Sequence, residues 1–348
     1  MTGPGGSPVP GSGDSPLGGS GDSPLRGSGD SPVPGGVGNR VVAHTGCRYP
    51  IIQAPMGYIA TGALAAAVSE AGGMGIVATT GGVERCLAEM AEARSRTAAP
   101  FGANVLVMLL RDEAVIDAIC DAGIRFVTTS AGNPARFVDR LKGRGITVYH
   151  VVPSAAAAVK AVAAGVDGLV VEGGEGGGFK SPDDVSTLVL LQAVRRQVDV
   201  PLVAAGGIVD GVGMAAAFAL GAEGVQMGTR FLLSRESPVH AGYKSALLGA
   251  HETDTVMLNR TSKPAVRALR TPLAVEVLAQ GGVLSPDAFA RIEDLYFGGD
   301  LDASVACAGQ SVGLIEREEP VAEIVAATVR QFFEVMGDLA GRFAAGRF

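Results

Sequence analysis

Short runs of apolar residues alternate with alanine-rich amphipathic segments through most of this chain. Eight runs, at 51–54, 75–78, 101–107, 125–129, 147–152, 168–171, 201–205 and 224–227, are dominated by Val, Ile, Leu, Ala and Phe. Short runs with little polar alternation mark strands buried on both faces, as in a parallel sheet. Between them, segments such as 62–71, 113–122, 134–143, 154–164, 183–197 and 211–220 are long enough to cross back over a sheet as helices. Eight such units within about 180 residues predict an α/β fold, a TIM (β/α)8 barrel, with its ligand at the carboxyl ends of the strands.

The rhythm fails at both ends. Positions 11–34 repeat GSGDSPLG, GSGDSPLR and GSGDSPVP, with one aliphatic side chain per unit. That composition buries too little apolar surface to offset the entropy of ordering, so residues 1–39 are expected to form a disordered Gly/Ser/Asp/Pro tail. After Arg230 helical segments mix with Thr271-Pro272 and Gly281-Gly282, and an amphipathic helix over 321–343 follows. The expected organisation is a barrel core over 40–233, a helical cap inserted over 234–300, and a carboxyl-terminal segment over 301–348 that closes the barrel. Such a cap would shut over the ligand.

Charge and cysteine usage narrow the class of function. A net charge of −7 without a basic stripe argues against nucleic acid as a partner. No run of eighteen apolar residues is present, so no membrane span is expected. Cys47, Cys86, Cys120 and Cys307 are far apart and form no metal-ligand spacing, which suits reduced thiols in a cytoplasmic enzyme. A small-molecule substrate is the expected partner, and a homodimer is compatible with the pattern.

Glycine marks where that substrate or its cofactor should lie. Gly206 and Gly207 follow the seventh strand, and Gly228-Thr229 follows the eighth. TIM barrels commonly bind a phosphate at these two turns through backbone N–H groups, and a Cβ would hold the backbone away from the anion. The turn after the sixth strand, GGEGGG at 173–178, is richer still; Gly174 and Gly178 are expected close to a flat ring or substrate. Asn104 stands in an otherwise apolar strand, where an unpaired amide would be costly. His150 lies near the carboxyl end of the fifth strand as a candidate for proton transfer, and alternation leaves open whether it points to the lumen or to the helices.

These turns, together with QAPMG (53–57), FGAN (101–104), SAGNP (130–134), VVPS (151–154) and GQSVGLI (309–315), resemble the FMN-dependent nitronate monooxygenase family, formerly called 2-nitropropane dioxygenases. The related FMN-dependent enoyl-acyl carrier protein reductases share most of these motifs, and the resemblance runs from about residue 40 to about residue 330. It implies FMN, with Ala54, Pro55, Met56 and Gly57 beside the isoalloxazine and Asn104 and Ser130 on the same face. Gly206, Gly207, Gly228 and Thr229 would hold the phosphate, and Glu172, Gln226 and Met227 would lie near the flavin.

In the glycine turn the family typically has histidine after a glycine pair, whereas this chain has Phe179. Imidazole there could take a proton from a carbon acid; a phenyl ring can only shape an apolar pocket or stack. A nitronate is already an anion and needs no base, so neutral nitroalkanes are expected to be poor substrates. Lys180 is a candidate for attracting an anionic substrate, Tyr58 for donating a proton, and Glu175 for replacing the missing base. Three functions follow: oxidation of a small anionic or activated substrate with oxygen reoxidising the flavin, reduction of an enoyl or conjugated carbonyl substrate by NADH or NADPH, or flavin binding without catalysis.

Overall fold

The computed structural model describes residues 38–344 together with Met1 and Gly346, so almost all of the expected tail lies outside the described residues. Eleven strands are present among them: β1 (Ile51–Gln53), β2 (Gly75–Ala78), β3 (Phe101–Leu106), β4 (Phe126–Ser130), β5 (Thr147–Val152), β6 (Gly168–Glu172), β7 (Gly178–Lys180), β8 (Leu202–Ala205), β9 (Gly224–Met227), β10 (Thr255–Leu258) and β11 (Ala265–Leu269). Eight form one parallel sheet in the order β1-β9-β8-β6-β5-β4-β3-β2. A parallel bridge from Ile52 to Met74 brings its two edges together, giving a nearly closed TIM barrel with helices between the strands.

Strand alternation divides the core in two. Ile52, Ile76, Phe126, Tyr149, Val170 and Val203 fill the lumen, while Ile51, Val77, Val127, Val148, Leu169 and Val225 pack outward on the helices. Gly168 shows how tightly the lumen is filled, since a Cβ there would lie 2.3 Å from the Tyr149 ring. The helix Arg40–Thr45 closes the amino end: Val41 joins the lumen core, and His44 Nδ1 lies 3.1 Å from the Tyr149 hydroxyl.

The final helix, Val321–Ala344, packs on the helices Gly211–Ala219 and Gly62–Glu70 and so closes the outer ring. Gly211 N donates to Gln331 Oε1 at 2.8 Å, and Gly211 has no Cβ because one would lie 2.3 Å from Phe332 N. No described helix is long and apolar enough to cross a membrane.

The insertion differs from a purely helical cap. Helices Ala241–Leu248, Pro272–Ala279 and Ile292–Gly298 are present, but β10 and β11 lie among them and form an antiparallel sheet with β7. Thus the end of the GGEGGG turn is itself a strand of the cap. Three residues, Gly-Phe-Lys, carry no strand signal alone; their ladder partner, Ala265–Arg267, lies far along the chain.

Candidate active site

Alternation decides which side chains meet at the carboxyl end of the lumen. Asn104 and Ser130 point inward on neighbouring strands, as expected of a shared face. Asn104 Nδ2 donates to Thr128 Oγ1 at 2.9 Å and to Thr128 O at 3.1 Å, and Ser130 Oγ lies 3.4 Å from the amide. Thr128 thus belongs to this polar ladder, a member the sequence signals only as a threonine pair in an apolar run. On the opposite side, Gln226 is buried with 4% exposure and its Oε1 accepts no hydrogen bond. A buried unpaired acceptor costs on the order of 1–3 kcal/mol, so this one fits a ligand that brings an N–H or O–H.

The two later turns form a glycine cradle in which Gly206 packs on the protein's own Thr187, Gly173 and Gly176 while Gly207 and Gly228 are the more open positions. Gly206 and Gly207 have φ of 93° and 77°, and a Cβ on Gly206 would lie 3.0 Å from Thr187 Oγ1. A Cβ on Gly228 would meet only Ala54 Cβ, at 3.5 Å. Thr229 Oγ1 accepts from Gly309 N at 3.1 Å, which leaves its own hydrogen to donate and ties the GQSVGLI segment to the cradle. The loop after β1 borders it: Ala54 N donates to Met227 O at 2.9 Å, Ala54, Pro55 and Met56 are half-buried, and Gly57 is exposed. These groups suit FMN, because the cradle admits an anion to bare backbone while Gln226 and the Asn104 ladder offer polar contacts to a ring or its ribityl chain.

The GGEGGG turn has a different logic from the one its composition suggests. A Cβ on Gly173 would lie 2.2 Å from Thr187 Oγ1, on Gly174 2.1 Å from Asp184 Oδ1, and on Gly177 2.6 Å from the Ala308 backbone. These glycines admit the protein's own groups, not a ring. Gly174 is therefore a packing position, and its carbonyl accepts from Arg267 Nε at 2.5 Å. Gly178 differs, with φ of 75° and nothing within 4 Å of where a Cβ would stand, so it alone leaves open space. Glu175 is no spare base: its carboxylate accepts from Thr187 N at 3.0 Å and from Thr187 Oγ1 at 2.9 Å, fixing the start of helix Thr187–Arg195.

Beyond the turn, β7 sends consecutive side chains to opposite faces. Phe179 packs on the apolar cluster of the cap sheet and meets Phe289 edge to face, with centroids 5.8 Å apart. It is an apolar wall and offers no proton. Lys180 turns inward instead of standing in solvent: its side chain is 2% exposed and its Nζ contacts Glu172 Oε1.

Two other candidates, Met227 and His150, face away from the lumen, and a third, Tyr58, is covered by Arg85 at the rim. Met227 shares the outward parity of Val225 and packs under the helices, away from the lumen. Tyr58 has φ of 63° and lies beneath Arg85, whose guanidinium is 4.9 Å from the ring centroid, at the cap side of the rim. His150 falls between the inward Tyr149 and Val151, so it faces the helices, 2.7 Å from Thr129 Oγ1. Burial pushes its imidazole from the usual 6.5 down to about 4.

A pH effect on stability follows from His150. Its site takes up a proton near pH 6.5 in the unfolded chain and only near pH 4 in the fold, so stability falls as pH drops through that window. The loss should reach about 3 kcal/mol by the acid end. Urea midpoints measured from pH 7 to pH 4 should decline less steeply in His150→Phe than in the parent; equal slopes would remove this role.

A parallel eight-stranded barrel with glycine turns after its last two strands has the arrangement in which TIM barrels commonly hold a phosphate-bearing ligand. The nitronate monooxygenase family model matches residues 39–114 and 110–331, and the chain belongs to that family, which is flavin-dependent. It is 31% identical over 340 residues to the nitronate monooxygenase of Pseudomonas aeruginosa, covering 82% of this chain and 97% of that protein. It is 35% identical over 247 residues to the (3aS,4S,5R,7aS)-5-hydroxy-7a-methyl-1-oxo-octahydro-1H-indene-4-carboxyl-CoA dehydrogenase of Rhodococcus jostii, covering 71% of this chain and 69% of that one. Among solved structures, FabK from Thermotoga maritima superposes with a TM-score of 0.83 at 36% identity, covering 88% of this chain and all of that one.

Proposed function

We propose that this protein is an FMN-dependent oxidoreductase that takes electrons from a small substrate activated beside a nitro or carbonyl group. The buried Gln226 Oε1 carries the reading, because an acceptor without a donor at the mouth of a filled barrel calls for a ligand that brings one. FMN, when bound, supplies the redox centre. Gly206, Gly207, Gly228 and Thr229 would hold its phosphate. Asn104, Ser130 and Gln226 would orient the ring and ribityl groups, and the loop from Ala54 to Gly57 would border them. Phe179 and the cap cluster would keep water from the reacting atoms.

The purified protein is expected to be yellow, with the absorbance bands of oxidised flavin and FMN released on denaturation. Colourless protein whose fluorescence titration shows no FMN binding rejects the reading.

The name of the Rhodococcus jostii relative, a carboxyl-CoA dehydrogenase, favours a second substrate class, a thioester-bound acyl group, for which we propose NADH or NADPH as electron donor. Anaerobic mixing separates the two. Rapid bleaching by a reduced nicotinamide selects the thioester reductase; bleaching by ethyl nitronate without response to nicotinamide selects the nitronate-type oxidase. Tight FMN binding without reduction by any of these donors would instead mark a non-catalytic flavin protein.

A further inference from the structure

Most titratable side chains around the mouth are engaged or turned away. His150 faces the helices on Thr129, Tyr58 lies under Arg85, and Glu175 is held by Thr187. Cys307, hydrogen-bonded with the Tyr296 hydroxyl, is a free thiol that burial pushes up to about 11, although Lys180 pulls it the other way. Arg267 and Asp184 pair with each other at 2.9 Å beside Gly174.

Glu172 is different. It is the last residue of β6, on the inward parity of Val170, and its side chain keeps 24% exposure. One oxygen, Oε1, contacts Lys180 Nζ; Oε2 accepts nothing among the described residues. Lys180 Nζ is fully enclosed and makes no hydrogen bond of good geometry beyond this ion pair. Gly176 allows the pair to form, since a Cβ there would lie 2.8 Å from Lys180 Nζ and 2.9 Å from Glu172 Oε1. An enclosed ammonium with a single carboxylate neighbour depends on that neighbour for its only counter-charge.

We infer that Glu172 is the proton-transfer group at this mouth, with its open oxygen toward the substrate, and that Lys180 is a positioning residue that holds it as a carboxylate. The inference rests on the oxidoreductase reading above. With a neutral nitroalkane the α C–H bond breaks, its proton passes to Glu172 Oε2, and the bonding pair moves onto the nitro group. The product is the nitronate and a neutral carboxylic acid. No oxidant takes part in this step; the electrons leave the nitronate only afterwards, to the flavin. A base supplied by β6 removes the ground for expecting neutral nitroalkanes to be poor, because that expectation rested on Phe179 alone.

The test uses the full-length protein with FMN and two probes, nitroethane and ethyl nitronate, mixed anaerobically across a pH series. The parent should be bleached by both, with the nitroethane rate lost as pH falls. In Glu172→Gln the ratio of the nitroethane to the nitronate rate should fall about a hundredfold or more. Because that variant strands a buried ammonium, the double variant E172Q/K180M, which removes both charges, should give the same ratio. In Lys180→Met the acid limb should move to higher pH. Carbon-13 titration of glutamate-labelled protein, with the Glu172 signal identified by its loss in E172Q, should move by the same amount, and a merely structural lysine would not move it. An unchanged rate ratio in both Gln variants, or an unmoved titration in K180M, overturns the assignment. A parent bleached by ethyl nitronate alone also overturns it while leaving the oxidoreductase reading in place; a parent bleached by neither overturns the nitro-substrate reading.

Discussion

Replacing Gly207 by Asp should weaken FMN binding at least a hundredfold in a fluorescence titration of flavin-free protein. Gly207 has φ of 77°, where a side chain adds roughly 1–3 kcal/mol of strain. A carboxylate there would also stand in the anion cradle, where like-charge juxtaposition costs several kcal/mol more. The fold should tolerate the change, since a Cβ at this position meets only the Glu175 side chain, with Cβ at 3.7 Å. Gly207→Ala carries the strain without the charge, and because free and bound protein share that strain it should lower stability while leaving FMN affinity within about threefold of the parent. Equal losses in the two variants would show that no anion binds at this turn.

Removing Arg267 should have the largest effect on stability. Arg267 is 5% exposed in β11, and its guanidinium joins three elements. It donates to Gly174 O in the glycine turn, to Asp184 Oδ1 at 2.9 Å, and to Thr255 Oγ1 in β10 at 3.2 Å. Arg267→Met leaves the buried Gly174 carbonyl without its donor and the half-buried Asp184 carboxylate with only the exposed Arg260, 3.5 Å away, which costs about 3 kcal/mol. Urea denaturation measures the loss, and amide exchange should quicken first in β7, β10 and β11, the sheet that Arg267 fastens to the turn. The double variant R267M/D184L should recover part of the loss because it also removes the stranded charge. A loss below about 1 kcal/mol in R267M would mean that the cap is held by its apolar cluster alone.

Arg267 also carries a signal in the sequence that stops short of its partners. A single arginine inside AVRAL, an otherwise apolar run, has to find buried partners if the run is a strand. That signal points to a network without naming it, because Asp184 and Gly174 become its neighbours only when β11 pairs with β7. Asn104 is the complementary case. Its position in an apolar strand already demanded partners, and Thr128 and Ser130 on the next strand supply them.

The sequence by itself determined the barrel, the places of its eight strands and the glycine turns after the last two. Buried parallel strands and their crossover helices write period and length directly into the chain, and positions that admit an anion to backbone require glycine. Only the tertiary structure decided which residues face the lumen. His150 and Met227 lie beside inward positions in sequence, yet alternation from Tyr149 and Gln226 turns both toward the helices. It also decided the chemistry of the turn after β6. Four of its glycines are held by contacts with Thr187, Asp184, Lys180, Glu172 and Ala308, and the pairing of β7 with β11 sends Phe179 to the cap and Lys180 to Glu172. The folding of the turn onto Asp184 and Thr187 leaves no periodic pattern in the chain, and the pairing of β7 with the distant β11 is fixed by a sheet register that neither segment specifies alone.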